Sequence, residues 1–128
     1  DYNANNQTVQ SVEFELLQSE EQLDSLIANT RGSDNLIVLK FYADWCVSCK
    51  TLERKVFSDR EVINSLDNAL ALTADVTDNT ESNKSLLARF DIAGPPAILF
   101  FKNGKEVRSQ RIIGEISAKN FLKRLNSI

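Results

Sequence analysis

The sequence predicts an α/β domain built on a central mixed β-sheet flanked by helices on both faces. Three observations predict it. Apolar runs of strand length alternate with segments of helical period. One run, Leu36 to Tyr42, is apolar throughout except for Lys40, as suits a central strand covered on both faces. The last two runs are joined by Lys102-Asn103-Gly104-Lys105, and Asn-Gly between apolar runs is a strong hairpin signal.

The elements follow in order. Residues 1–11 read as a flexible tail, because Asp1 to Gln10 is rich in Asn and Gln and nearly devoid of large apolar side chains. A single domain is expected over residues 12–128. Val12 to Leu16 alternates and predicts a short first strand. Ser19-x-x-Gln22 resembles a capping box, Leu23, Leu26 and Ile27 share one helical face, and Arg31-Gly32 marks that helix's end. The Leu36–Tyr42 strand leads into a helix from about Cys46 to Val56. Ser58-x-x-Glu61 reads as a second capping box, opening a short helix to about Leu66. Leu70 to Val76 predicts a strand, and residues 80–90 a helix packing Leu86, Leu87 and Phe90. Ala97 to Phe101 and Glu106 to Ile112 are the two hairpin strands, with the antiparallel hairpin expected at the sheet's edge. A last helix from about Ser117 packs Phe121, Leu122 and Leu125.

Bulk properties narrow the function. The chain has 128 residues, 42% hydrophobic and 26% charged, and a net charge of −3. That is an ordinary globular composition, with basic residues scattered and no nucleic-acid footprint. No apolar run approaches the roughly 20 residues of a membrane helix, so no direct membrane insertion is expected. The chain has no methionine and therefore reads as a processed product or a piece of something longer.

Cys46 and Cys49 are the only cysteines, and there is no histidine. A disulfide scaffold needs more cysteines, a zinc site usually needs four Cys or His ligands, and a Cys–His nucleophile pair is impossible within this chain. No metal and no cofactor are expected. The pair closes the run Tyr42-Ala43-Asp44-Trp45-Cys46-Val47-Ser48-Cys49-Lys50. A strand ending in Cys-x-x-Cys places the first sulfur at a helix start, where unpaired N–H groups and the helix dipole stabilise a thiolate. The thiolate is the species that attacks disulfides. Cys46 is thus the expected nucleophile, exposed at the helix start. Cys49, one turn deeper, is the expected buried resolving thiol. The alternative is an inert structural loop.

Three other positions enter the candidate site. In Gly94-Pro95-Pro96-Ala97, just before a strand, a cis Pro95–Pro96 bond would set the loop against the cysteines and leave backbone groups free for an extended substrate. The plainer reading is a turn after a helix. Glu53 lies seven residues after Cys46 and four after Cys49, on their helical face. It either disfavours the thiolate and relays a proton or pairs with Lys50 in solvent. Lys40 shares a strand face with Val38 and Tyr42. Its ammonium either tunes the thiols, approaches Glu53, or reaches water along its stem.

With these residues in place, the chain resembles the thioredoxin family over about residues 12–126. More narrowly it resembles the C-terminal periplasmic domain of the DsbD family of thiol:disulfide interchange proteins. That match rests on the Tyr42–Lys50 run, Glu53, Val56-Phe57-Ser58-Asp59 with Val62, and Ala74-Asp75-Val76-Thr77. The resemblance implies a thioredoxin fold and a monomeric protein-disulfide reductase on the periplasmic side of a bacterial inner membrane. It implies that a transmembrane domain, itself reduced by cytoplasmic thioredoxin, passes two electrons to this domain. The domain then reduces the N-terminal periplasmic domain of the same parent protein, which feeds disulfide isomerases and cytochrome c maturation. By this resemblance Cys46 and Cys49 are the active cysteines, Pro96 the cis-proline and Glu53 the active-site acid. Trp45, Pro95 and Pro96 are the candidate substrate-binding residues.

Two positions depart from the family pattern. Lys40 stands where the family usually has a buried Asp, and Pro95 stands where a backbone N–H commonly docks substrate. Proline has no N–H. A general thioredoxin-like reductase or oxidase without a membrane parent, and a binding module with a structural disulfide, are the competing readings.

Overall fold

The computed structural model describes residues 10–128. The expected tail falls outside them except for Gln10 and Ser11. The two-residue strand β1 (Glu15–Leu16) runs parallel to β3 (Leu70–Asp75), which runs parallel to β2 (Leu36–Tyr42). β2 is antiparallel on its other side to β4 (Ala97–Lys102). β4 also pairs with β5 (Lys105–Glu106) and β6 (Ile112–Ile113). The order is β1-β3-β2-β4-β5, with β6 beside β4.

The hairpin differs from expectation in two ways. Its first strand, β4, is an interior strand, not an edge. Its second strand is broken: after Glu106 the chain leaves the sheet, makes a 3-10 turn at Arg108–Gln110 and returns as β6. Arg111 closes this excursion. Its guanidinium pairs with the Glu106 carboxylate and donates to the Phe90 carbonyl at 2.7 Å. The Asn103-Gly104 turn has positive φ at both residues, 53° and 82°, the requirement of a type I′ turn.

Among the described residues five α-helices cover the sheet: α1 (Glu20–Ala28), α2 (Val47–Lys55), α3 (Arg60–Ser65), α4 (Glu81–Arg89) and α5 (Ala118–Asn126). Ser19 caps α1 by accepting the Gln22 N–H, while the Gln22 carboxamide accepts from Gln18 rather than from Ser19. The cap of α3 is Asp59, not Ser58, and it accepts the Val62 N–H at 3.1 Å. Ser58 is drawn back toward α2, where its hydroxyl donates to the Glu53 carbonyl.

Strand β2 divides the core. Ile37, Leu39 and Phe41 pack with Leu23 of α1 and with Leu86 and Phe90 at α4. Val38 faces the other layer with Leu52, Val62 and Phe121 of α2, α3 and α5. Both faces are therefore buried, as its run of apolar residues, interrupted only by Lys40, leads one to expect. Phe121 is the anchor of α5. It is fully buried, with its ring 5.6 Å from Phe57 and 6.0 Å from Phe100. Phe121→Ala should lower unfolding free energy by about 3–5 kcal/mol in a denaturant titration. A loss below about 1 kcal/mol would show that α5 is not held through this ring.

Candidate active site

The site forms where β2 hands the chain to α2. Cys46 is the N-cap of α2 in extended conformation, and its Sγ accepts the Cys49 N–H at 3.1 Å. A sulfur therefore occupies the place an N-cap oxygen usually fills, against the positive end of the helix dipole. Cys46 and Cys49 are joined in a disulfide with Cα atoms 5.2 Å apart. Residue exposures are 6% and 3%. The expected contrast of an exposed Cys46 above a buried Cys49 is thus absent in the oxidised state. Cys46 instead packs with Cys49, Phe41 and Ala43 in the core.

The turn before Cys46 is fixed to the end of β3. Thr77 is the bolt: its hydroxyl accepts the Asp44 N–H at 2.9 Å and donates to Asp75, and its carbonyl accepts the Trp45 indole N–H at 3.1 Å. The Trp45 ring remains exposed, as do Val47 and Ile113. On the other side, the Tyr42 hydroxyl accepts from Lys50 at 2.6 Å and donates to Asp44 at 3.0 Å. That hydrogen bond to Tyr42 holds the Lys50 pKa above its ordinary value. Ser48, between the cysteines, donates to Glu115 at 2.7 Å.

The Pro95–Pro96 bond is cis. Pro96 and Cys49 line one small cavity, and the Pro96 carbonyl accepts the Gly114 N–H. The loop therefore stands beside the cysteines.

Lys40 and Glu53 meet. The ammonium is 3.1 Å from Glu53 Oε2, and the Lys40 residue is 8% exposed. The ammonium also sits 4.0 Å over the Phe14 ring and 5.3 Å from the Phe57 ring centre. Lys40 neither reaches freely into water nor leaves Glu53 to Lys50. Burial lowers its pKa below the ordinary lysine value, against the opposing hydrogen bond and charge of Glu53. The Glu53 side chain is 43% exposed, so its carboxylate keeps contact with solvent.

Sequence reasoning singled out Cys46, Cys49, Glu53, Lys40, Trp45, Pro95 and Pro96, and the structure gathers all seven around this junction. It did not single out Tyr42, Ser48, Asp75, Thr77 or Glu115. Tyr42 and Ser48 lie in the Tyr42–Lys50 run, and Asp75 and Thr77 in the Ala74–Thr77 run, that carry the family resemblance, and that is the signal that could have found them. Nothing in the sequence ties Glu115 to Ser48, 67 residues away.

A disulfide at a helix N-terminus, between a buried strand and a cis-proline loop, defines a thiol:disulfide oxidoreductase of the thioredoxin fold. The chain belongs to the thioredoxin family, whose model matches residues 14–127. It is 38% identical over 129 residues to the thiol:disulfide interchange protein DsbD of Yersinia pestis, a match covering 98% of this chain and 21% of that protein. It is 40% identical over 114 residues to DsbD 1 of Pseudomonas aeruginosa, covering 88% and 19%. The chain thus spans about a fifth of the length of these curated relatives. The oxidised C-terminal domain of Neisseria meningitidis DsbD superposes with a TM-score of 0.69 at 24% identity, covering 88% of this chain and 98% of that one, which places the fold.

The ion pair predicts an asymmetry. Glu53→Ala leaves the ammonium buried without its partner and should cost about 1–2 kcal/mol, at the low end for a broken buried pair because Glu53 is partly solvated. Lys40→Met leaves a carboxylate that can hydrate, and should match or exceed wild-type stability at pH 7. The folded protein binds the Lys40 proton less tightly than the unfolded chain, whose value is 10.5. Wild-type stability therefore rises with pH as that proton is lost, up to about 10.5. Any advantage of Lys40→Met should shrink over the same alkaline window. Denaturant titrations at pH 7 and 10 check this, and a Lys40→Met variant less stable than Glu53→Ala would refute it.

Proposed function

We propose that this domain is an electron relay. It takes two electrons from a transmembrane domain of its parent protein and passes them to that protein's N-terminal periplasmic domain. The work would be done at the periplasmic face of a bacterial inner membrane. The reading is supported by the identity to DsbD proteins over nearly the whole chain. No helix among the described residues is long and apolar enough to cross a membrane, so the donor domain would lie outside this stretch of chain.

The observation that carries the chemistry is the Cys46 sulfur at the α2 N-cap, accepting the Cys49 N–H. In the reduced form that position favours a Cys46 thiolate. The thiolate attacks a partner disulfide, forming a Cys46–partner bond and releasing one partner sulfur as a thiolate. Cys49 then attacks Cys46 Sγ, the internal disulfide closes, and the second partner sulfur leaves. The enzyme dithiol is oxidised and the partner disulfide reduced, with two electrons moved.

Trp45 and the Pro95–Pro96 loop are the proposed docking residues. Pro95 offers a carbonyl but no N–H, so a partner strand can donate to it but not accept from it. Glu53 acts on the thiols as half of the pair with Lys40. Replacing it with Gln should lower the titration midpoint of the Cys46 thiolate.

A donor to disulfide isomerases must lie below their potential of about −180 mV. Equilibration of the Cys46–Cys49 pair with glutathione should therefore give a value below about −180 mV. A value near about −120 mV, that of a strong thiol oxidase, would overturn the reductase reading. A disulfide that resists mild reductant would favour a structural role. In the reduced protein, limiting alkylating agent should modify Cys46 before Cys49, and the reverse order would exchange nucleophile and resolver.

A further inference from the structure

Behind the disulfide lies a cavity of about 10 Å³ lined by Lys40, Tyr42, Cys49, Phe57, Pro96 and Ile98, with Phe41, Leu52 and Ala97. That is about the space of a single water. Only three of these side chains are polar or ionisable: Lys40, Tyr42 and Cys49. Lys40 also lines the open groove on the outer side, of about 470 Å³, together with Glu53, Lys50, Arg54 and Ser58. Lys40 and Phe57 line both spaces and together separate the open groove from the cavity beside Cys49, and of the two only Lys40 carries charge.

We infer that the Lys40 ammonium stabilises the thiolate of Cys49 across this cavity, and so sets how fast the mixed disulfide is resolved. The inference deepens the proposed dithiol chemistry and rests on it. Without a cation, Cys49 is poorly placed to ionise. It is buried, and its sulfur lies 3.9 Å from the Phe41 carbonyl oxygen, and both disfavour negative charge. Trp45 and the exposed rim do not reach this side, and β4 contributes only apolar side chains, Ala97 and Ile98. The charged or titratable groups facing the region are Lys40 and Tyr42 from β2, and Glu53, Lys50 and Arg54 from α2. Lys50 is engaged by the Tyr42 hydroxyl, and Glu53 offsets part of the Lys40 charge.

The step balances without proton transfer to Lys40. Cys49 loses its proton to solvent, and the thiolate attacks Cys46 Sγ of the mixed disulfide. The Cys46–Cys49 bond forms as the Cys46–partner bond breaks, and the partner sulfur leaves with the electron pair and takes a proton from water. Lys40 acts by charge alone, as a positioning residue.

The test titrates Cys49 by thiolate absorbance in the full chain carrying Cys46→Ser. Lys40→Met in that background should raise the midpoint by about one unit, the lower range for loss of a nearby opposite charge. Lys40→Met with Glu53→Gln should still raise it, though by less. If the double variant shows no rise, the single-variant effect came from the released Glu53 carboxylate and the inference fails. With both cysteines present, a thionitrobenzoate adduct on Cys46 should be resolved by Cys49 about threefold more slowly in Lys40→Met at neutral pH. Thiolate fraction falls about tenfold per unit, while intrinsic nucleophilicity rises by about half that exponent. An unchanged rate with an unchanged midpoint would overturn the inference. The glutathione equilibrium of the wild-type pair is independent of this outcome. A pair that cycles normally while Lys40→Met moves nothing would sink only the role of Lys40.

Discussion

Strand β2 is buried on both faces, and the site exists because of where that strand must end. Its side chains alternate between two packed layers, so its register cannot slip without exposing one of them. Pairing with β3 on one side and β4 on the other fixes it along its full length. The chain therefore leaves the sheet at a set point, and Cys46 arrives at the start of α2 with its sulfur turned onto the first free N–H groups. The same two neighbours supply the remaining parts. β3 ends in Asp75, from which Thr77 follows to hold Asp44 and Trp45, and β4 begins just after the cis-proline loop.

This arrangement makes Lys40 expensive and at the same time useful. A position in the middle of a doubly covered strand is a poor place for an ammonium. The fold accommodates it by putting Glu53 one hydrogen bond away and three aromatic rings around it, Phe14, Phe57 and Tyr42. Ring faces attract a cation, most strongly where water is thin. The carboxylate keeps its outer side in solvent, so the pair is not fully desolvated and escapes the worst penalty of a buried ion pair. The first turn of chain after the tail is part of this device, since Phe14 covers the ammonium and Val12 donates to the Phe57 carbonyl.

Much of the fold was legible because it is written in local signals. The Leu36–Tyr42 run, the Asn103-Gly104 turn and the Ser19 and Ser117 caps each act within a few residues. The misread parts depend on side-chain partners that no local pattern names. The break between β5 and β6 is held by Arg111 reaching back to Glu106 and to Phe90, and Phe90 is 21 residues away in sequence. Ser58 matched the capping pattern as well as Asp59 did, and what separates them is the Glu53 carbonyl that takes the Ser58 hydroxyl. At the site, the cysteines were legible from their spacing after a strand, whereas Pro95-Pro96 alone reads as a plain turn and is expected to be cis only in the company of that motif, as it is. The burial of Cys46 was not legible, because a place at a helix start does not reveal that the side chain joins the core cluster with Cys49 and Phe41.

Pro95 and the exposed rim together shape what such a site accepts. A thioredoxin-type loop that presents both N–H and C=O can hold a partner strand by a pair of backbone hydrogen bonds, whatever the partner's side chains. With proline at position 95 one of the two is gone, at a net loss of about 0.5–1.5 kcal/mol. That amount weakens every partner alike and so carries no selectivity. Under the proposed docking at this loop, the exposed apolar surface of Trp45, Val47 and Ile113 would then supply a larger share of the binding. Apolar contact depends on shape, and an aromatic ring anchored through its indole N–H loses little entropy on docking. Under the proposed relay, weak backbone pairing and a shaped apolar rim favour a domain tethered to the same parent chain, where high effective concentration compensates modest affinity. A free substrate has no such compensation, and must find its affinity in the rim alone.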